Sequence, residues 1–359
     1  MSAHSPKMND VTVEAERLVV ICNSCRYCEG YCAVFPAIER RVNFTEADID
    51  YLANLCHNCA ECYYACQYAP PHEFAVNVPK VFAEVRAHSY QKHAWPQGVA
   101  GLLRGKGILV VWAAALMALS ISVADLNGFA FYDVIPHGRL VAIFTAISLF
   151  AVGAQVAGFV QFWKGTGERL SALTQLGIFR KAARDALSLT NLSSGGAGCT
   201  YPNERHSQAR RSFHHFTFYG FLLCFASTTV AAIYDNFLGW VAPYPYLSLP
   251  VILGTLGGIG LIIGPTGLFV LKQRRDSSIV DPKQDHSDVS FLVLLFLTSI
   301  TGFMLLVLRG TSVMGVLLVI HLAVVLALFV TLPYGKFVHG TYRAAALMKS
   351  ALEQSRERH

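Results

Sequence analysis

The chain has 359 residues, 53% of them hydrophobic and only 14% charged, with a formal net charge of +6. Soluble domains carry about 25% charged residues, so the composition excludes an ordinary soluble globule and points to a membrane protein. In such a protein basic residues set orientation, so the surplus gives no reason to expect nucleic acid as a partner.

The first 20 residues are mostly polar and lack the apolar core of a signal peptide, which places the N-terminus in the cytoplasm. Residues 10–21 and 45–55 read as short helices. Thr45 is a suitable N-cap, and Glu46 and Asp48 fall in the first turn, where negative charge is favoured. Among ten cysteines, Cys22, Cys25, Cys28 and Cys32 give C-x2-C-x2-C-x3-C, and Cys56, Cys59, Cys62 and Cys66 repeat that spacing. In a reducing compartment closely spaced cysteines are metal ligands rather than disulfides.

This run is the one that holds [4Fe–4S] clusters. Three thiolates spaced by two residues wrap one iron cube, and the fourth is carried away to a second. By analogy with two-cluster ferredoxins, Cys66 joins Cys22, Cys25 and Cys28, while Cys32 joins Cys56, Cys59 and Cys62. Ala33 and Gln67 stand where those ferredoxins have proline. Structural zinc takes two pairs of ligands, whereas here a run of four occurs twice.

The chain divides at about residue 105. Residues 1–105 form a cytoplasmic domain for two [4Fe–4S] clusters, and 106–359 form a membrane domain. Six apolar runs reach the roughly 17–25 residues that cross a bilayer: 108–124, 140–162, 213–233, 247–271, 289–308 and 313–332, the first being the shortest. Basic residues crowd the second-to-third loop (Arg180, Lys181, Arg184, Arg210, Arg211 among them), the fourth-to-fifth loop (Lys272, Arg274, Arg275) and the tail (Lys336, Arg343, Lys349). The positive-inside rule then puts both termini in the cytoplasm. The expected fold is all-α: a small helical ferredoxin-like domain followed by a six-helix transmembrane bundle of cytochrome b type. Residues 171–189 are amphipathic and suited to a membrane surface. Six glycines in the fourth run, Gly254 to Gly267, suit close helix packing. Cys224 reads as an inert apolar residue, and Cys199 has no clear role.

Histidines in a membrane domain need a reason. His214 and His215 open the third span at its cytoplasmic end, and His339 lies just past the sixth, at the same depth. His321 lies 18 residues before His339, about five helical turns, so both are expected to project from one face roughly 27 Å apart, with a bend at Pro333 that leaves the phase intact. His214 or His215 can thus pair with His339 as axial ligands of one haem. Bis-histidine ligation leaves no open position, which suits electron transfer. His321 has no histidine at its own depth, so one haem b is expected rather than two, and His321 touches a quinone or a propionate.

The segment from His321 to His339, with Pro333 and Lys336 inside it, resembles the last haem-binding helix of the respiratory nitrate reductase gamma subunit. The whole chain resembles the tricarballylate/citrate-utilisation protein B family. The segments 213–228, 254–260 and 332–339 carry that match beside the doubled cysteine run. The resemblance implies an electron-transfer protein with two [4Fe–4S] clusters and haem b. It implies a partner, an FAD-containing dehydrogenase of tricarballylate type, whose reduced flavin it reoxidises, passing electrons to the quinone pool of a bacterial inner membrane. The chain has no dinucleotide fingerprint and no nucleophile–base pair, so substrate oxidation is left to the partner. Two other readings stay open: a heterodisulfide-reductase-like electron-transfer subunit, and a membrane redox sensor.

Overall fold

A computed structural model of the chain describes residues 8–102, 107–128 and 130–357. Among the described residues the chain is helical, with no strand beyond one isolated antiparallel bridge between Cys199 and Ser207. The expected division at residue 105 lies outside the described residues.

The N-terminal head contains α1 (Met8–Cys25), α2 (Val34–Glu39), α3 (Glu46–Leu55), α4 (Glu61–Tyr64), α5 (Val78–Lys92) and α6 (Gln97–Leu102). The helix expected at 10–21 runs further, through Cys22 and Cys25. Thr45 caps α3 as expected: its hydroxyl accepts from the Asp48 amide, and the Asp48 carboxylate accepts from the Thr45 amide. The two bonds satisfy donors that a helix start leaves orphaned. Helices α1 and α3 pack on α5, burying Leu18, Ile49, Leu52, Leu55 and Phe82 completely.

The second part contains α7 (Gly107–Ser122), α8 (Phe131–Val134), α9 (His137–Gly165), α10 (Leu176–Leu187), α11 (Ala209–Leu238), α12 (Leu249–Gln273), α13 (Pro282–Leu308), α14 (Met314–Thr331) and α15 (Val338–Arg356). Five of these, α9 and α11–α14, are long and apolar enough to cross a membrane. The first expected span is α7, with 16 residues. At 1.5 Å per residue this described part reaches about 24 Å, against a hydrocarbon core of about 30 Å. Helix α9 turns Leu149, Val152 and Val156 outward, the three- and four-residue spacing of one helix face.

Helices α11 and α12 lie together along most of their length. Glycines allow this: a Cβ on Gly257 would sit 2.7 Å from the Cys224 amide nitrogen and 2.8 Å from the Gly220 oxygen. The glycine-rich span therefore serves helix packing.

One expectation about geometry is corrected. His321 and His339 do not share a continuous helix, because α14 stops at Thr331 and α15 begins at Val338. Pro333 has no N–H to continue the ladder, and the amides of Tyr334 and Gly335 both turn back to the Thr331 oxygen. After this break α15 leaves the bundle and enters the head. Ala345, Ala346, Leu347, Ala351 and Leu352 join the core built on α1, α3 and α5. Arg41 fastens the join, bonding Asp48 at 2.7 Å and also Glu353 on α15. The amphipathic stretch forms α10, which packs on α15 through its buried Ile178 and Ala182. Leu176, Phe179 and Leu187 remain exposed.

Candidate metal centres

Two cavities lie side by side in the head. Cys22, Cys25, Cys28 and Cys66 line the first; Cys32, Cys56 and Cys59 line the second; Cys62 borders both. The fourth cysteine of each run thus reaches the cavity formed by the other run. Among the described residues, no group of three or more His, Cys, Asp or Glu side chains is placed to hold a single metal ion.

Backbone geometry makes these cradles. Arg26, Asn58 and Ala60, which flank Cys25 and Cys59, have φ of 56°, 56° and 68°. Non-glycine residues pay sterically for that left-handed region, which clusters at functional turns. The curl turns the Asn58 amide onto the Cys56 sulfur at 3.4 Å. Burial first, then the neighbouring Cys28, Cys66 and Cys25, push the Cys22 thiol up to about 12. Burial likewise holds Cys32 and Cys62 well above the ordinary thiol range.

The structure brings His214 and His339 together, with ring centroids 6.1 Å apart at 75°. His339 donates its Nδ1–H to the Lys336 carbonyl at 2.5 Å, which leaves a lone pair on Nε2. Burial, then Lys336 and Arg343, hold its pKa well below the usual histidine range, so the ring is neutral. The Nδ1 of His214 is buried and has no hydrogen-bond partner among the described residues. His215 faces away and packs against Tyr219. His321 stands apart. Thr301 donates its hydroxyl to the Leu297 carbonyl and accepts from His321 Nδ1 at 2.9 Å.

Three arginines that sequence reading did not single out as site residues meet at the turn carrying Cys56. Arg86 donates to the carbonyls of Ala53 (3.0 Å) and Cys56 (3.3 Å). Arg343 donates to Asn54 (3.3 Å) and Cys56 (2.6 Å). Arg210 donates to Asn58 and lies over the Tyr201 ring at 4.5 Å. By loop charge alone Arg210 and Arg343 read as orienting residues. The available signal was spacing: Arg210 is four residues before His214 and Arg343 four after His339, one helical turn in each case. Cys199 is fully buried in a small cluster with Cys59, and its thiol donates to the Leu192 carbonyl at 2.9 Å.

The family described as "Citrate utilization protein B" matches residues 97–359, and the "Citrate utilization protein B Fer4-like domain" matches residues 15–92. A protein of Escherichia coli described as "Citrate utilization protein B" is 48% identical over 97% of this chain and 94% of its own length. No solved structure matches.

Proposed function

The chain belongs to the citrate utilization protein B family, and on that premise we propose that it is a membrane electron-transfer protein. It takes electrons from the reduced flavin of a partner dehydrogenase of tricarballylate type and delivers them to the quinone pool. Its seat is a bacterial inner membrane, with both termini in the cytoplasm. The single observation that carries the reading is the pair of adjacent thiol-lined cavities, each completed by the other run's fourth cysteine.

The residues fit the groups this role requires. Cys22, Cys25, Cys28 and Cys66 would hold one [4Fe–4S] cluster, and Cys32, Cys56, Cys59 and Cys62 the other. Thiols raised this far by burial stay protonated when alone; a bound metal is what draws their protons off. The buried His214 ring lies 6.1 Å from the His339 ring, so both imidazoles are within reach of one bound group. His339 already has its proton fixed on Nδ1, the arrangement that orients a metal-ligating imidazole. His214 and His339 would therefore hold one haem b. His215 would not take part. His321 would contact a quinone or a propionate. When bound, these groups supply one-electron oxidation and reduction, which divides the two-electron step of a flavin.

A dithionite-reduced minus oxidised optical spectrum of the purified protein tests the haem. A sharp b-type α band is expected. It disappears in His339→Ala and His214→Ala and persists in His215→Ala. A band unchanged in His339→Ala overturns the axial assignment, and no band in the wild type removes haem from the account.

A further inference from the structure

We propose that Arg86, Arg210 and Arg343 raise the reduction potential of the centre on Cys32, Cys56, Cys59 and Cys62 above that of the centre on Cys22, Cys25, Cys28 and Cys66. This rests on the function proposed above and adds a direction to it: electrons run from the first centre to the second, towards the His214–His339 pair.

The argument is electrostatic. Each centre carries four thiolates, and each reduction adds one more negative charge, so nearby uncancelled cations favour the reduced form. The three guanidiniums reach the Ala53–Asn58 turn from three elements: Arg86 from α5, Arg210 from α11 and Arg343 from α15. Their hydrogen bonds there go to carbonyls, which are neutral and leave the positive charge uncancelled. Arg86 is 3% exposed, so its field is weakly screened. One carboxylate opposes them: Glu61, next to Cys62, bonds His206 through one oxygen at 2.9 Å and leaves its other oxygen buried without a partner among the described residues, so it sets one negative charge against three positive ones. At the first centre the balance differs. Arg26, next to Cys25, is exposed, so its field is screened by solvent, and among the described residues it donates to the Asn23 carbonyl. Tyr27 at the mouth of that cavity is 67% exposed, which leaves this end accessible to a partner.

The transfer moves one electron, makes or breaks no bond and moves no proton. The first centre is oxidised by one unit as the second is reduced by one. A reduced flavoprotein supplies the electron, and the haem is its acceptor.

The test is an EPR-monitored redox titration of the full-length protein in detergent, with iron measured on the same samples. The wild type should show two one-electron steps. In Arg343→Gln and in Arg210→Gln the upper step should fall by about tenfold in its equilibrium constant, about 59 mV for one electron, while the lower step stays. Arg343→Lys and Arg210→Lys keep the charge and should hold the upper step in place. Movement of the lower step instead, or of neither step, with iron intact overturns the inference and leaves the cluster assignment standing. If the glutamine variants lose iron, the lysine variants decide: a lowered upper step in them, with iron intact, overturns the charge argument.

Discussion

Single residues decide how closely the parts of this molecule approach. Gly257 is surrounded by the backbone of Gly220 and the amide of Cys224, so Gly257→Ala must push α12 off α11. A loss of about 1–3 kcal/mol is expected, read as lowered thermal stability in detergent. Gly153 in α9 has nothing within 4 Å of the place a Cβ would take, so Gly153→Ala should leave stability unchanged or raise it by up to about 1 kcal/mol. Equal losses in the two variants would contradict the packing argument. That the eight cysteines gather in the head was legible at this scale, because their spacing names them without coordinates. The choice of His214 over His215 was not. Adjacent residues on a helix point about 100° apart, and only the position of α15 decides which ring meets His339. The left-handed turns at Arg26, Asn58 and Ala60 were equally hidden, since none is a glycine.

Among the elements, α15 ties the two halves of the chain together. Arg41 is held by Asp48 of the head and Glu353 of α15. Removing it takes the cation from two part-buried carboxylates, leaving Asp48 with Thr45 and Glu353 with Tyr51, so Arg41→Ala should destabilise the join by on the order of 3 kcal/mol. Faster proteolysis after Lys349 or Arg356, with the spans intact, would report it; unchanged cleavage would argue against the clasp. Acid should act on the same join. Burial works to raise the Asp48 carboxyl, but Arg41 and Thr45 outweigh it and hold the carboxyl below its usual value. A depressed folded-state value contributes stability that is complete above the unfolded value of ~3.9 and lost as pH falls through the folded one. Cleavage of α15 should therefore accelerate only below about pH 4, and acceleration already at neutral pH would contradict it. The long spans were legible from hydropathy and the capped α3 from its first turn. Helices α5 and α15 were not, because their apolar faces are short and complementary to each other's neighbours. The helical phase expected to carry from His321 to His339 through a bend at Pro333 was lost there, because the chain breaks between Thr331 and Val338 rather than bends.

On the scale of the whole molecule, the chain folds back so that its last helix completes the core of its first domain. That return places His339 beside His214 and Arg343 beside the Cys56 turn in one stroke. The two-part organisation, all-helical head and apolar bundle, was legible from composition and motif. The interlocking of the parts was not, since a sequence read in order gives no sign that residues 345–352 belong with residues 11–55. Polypeptide-bound metal analysis of anaerobically purified protein, with EPR after reduction, tests the central claim most directly. The account predicts about eight irons per chain and a pair of interacting cluster signals. Zinc in place of iron, with no cluster signal, would contradict it.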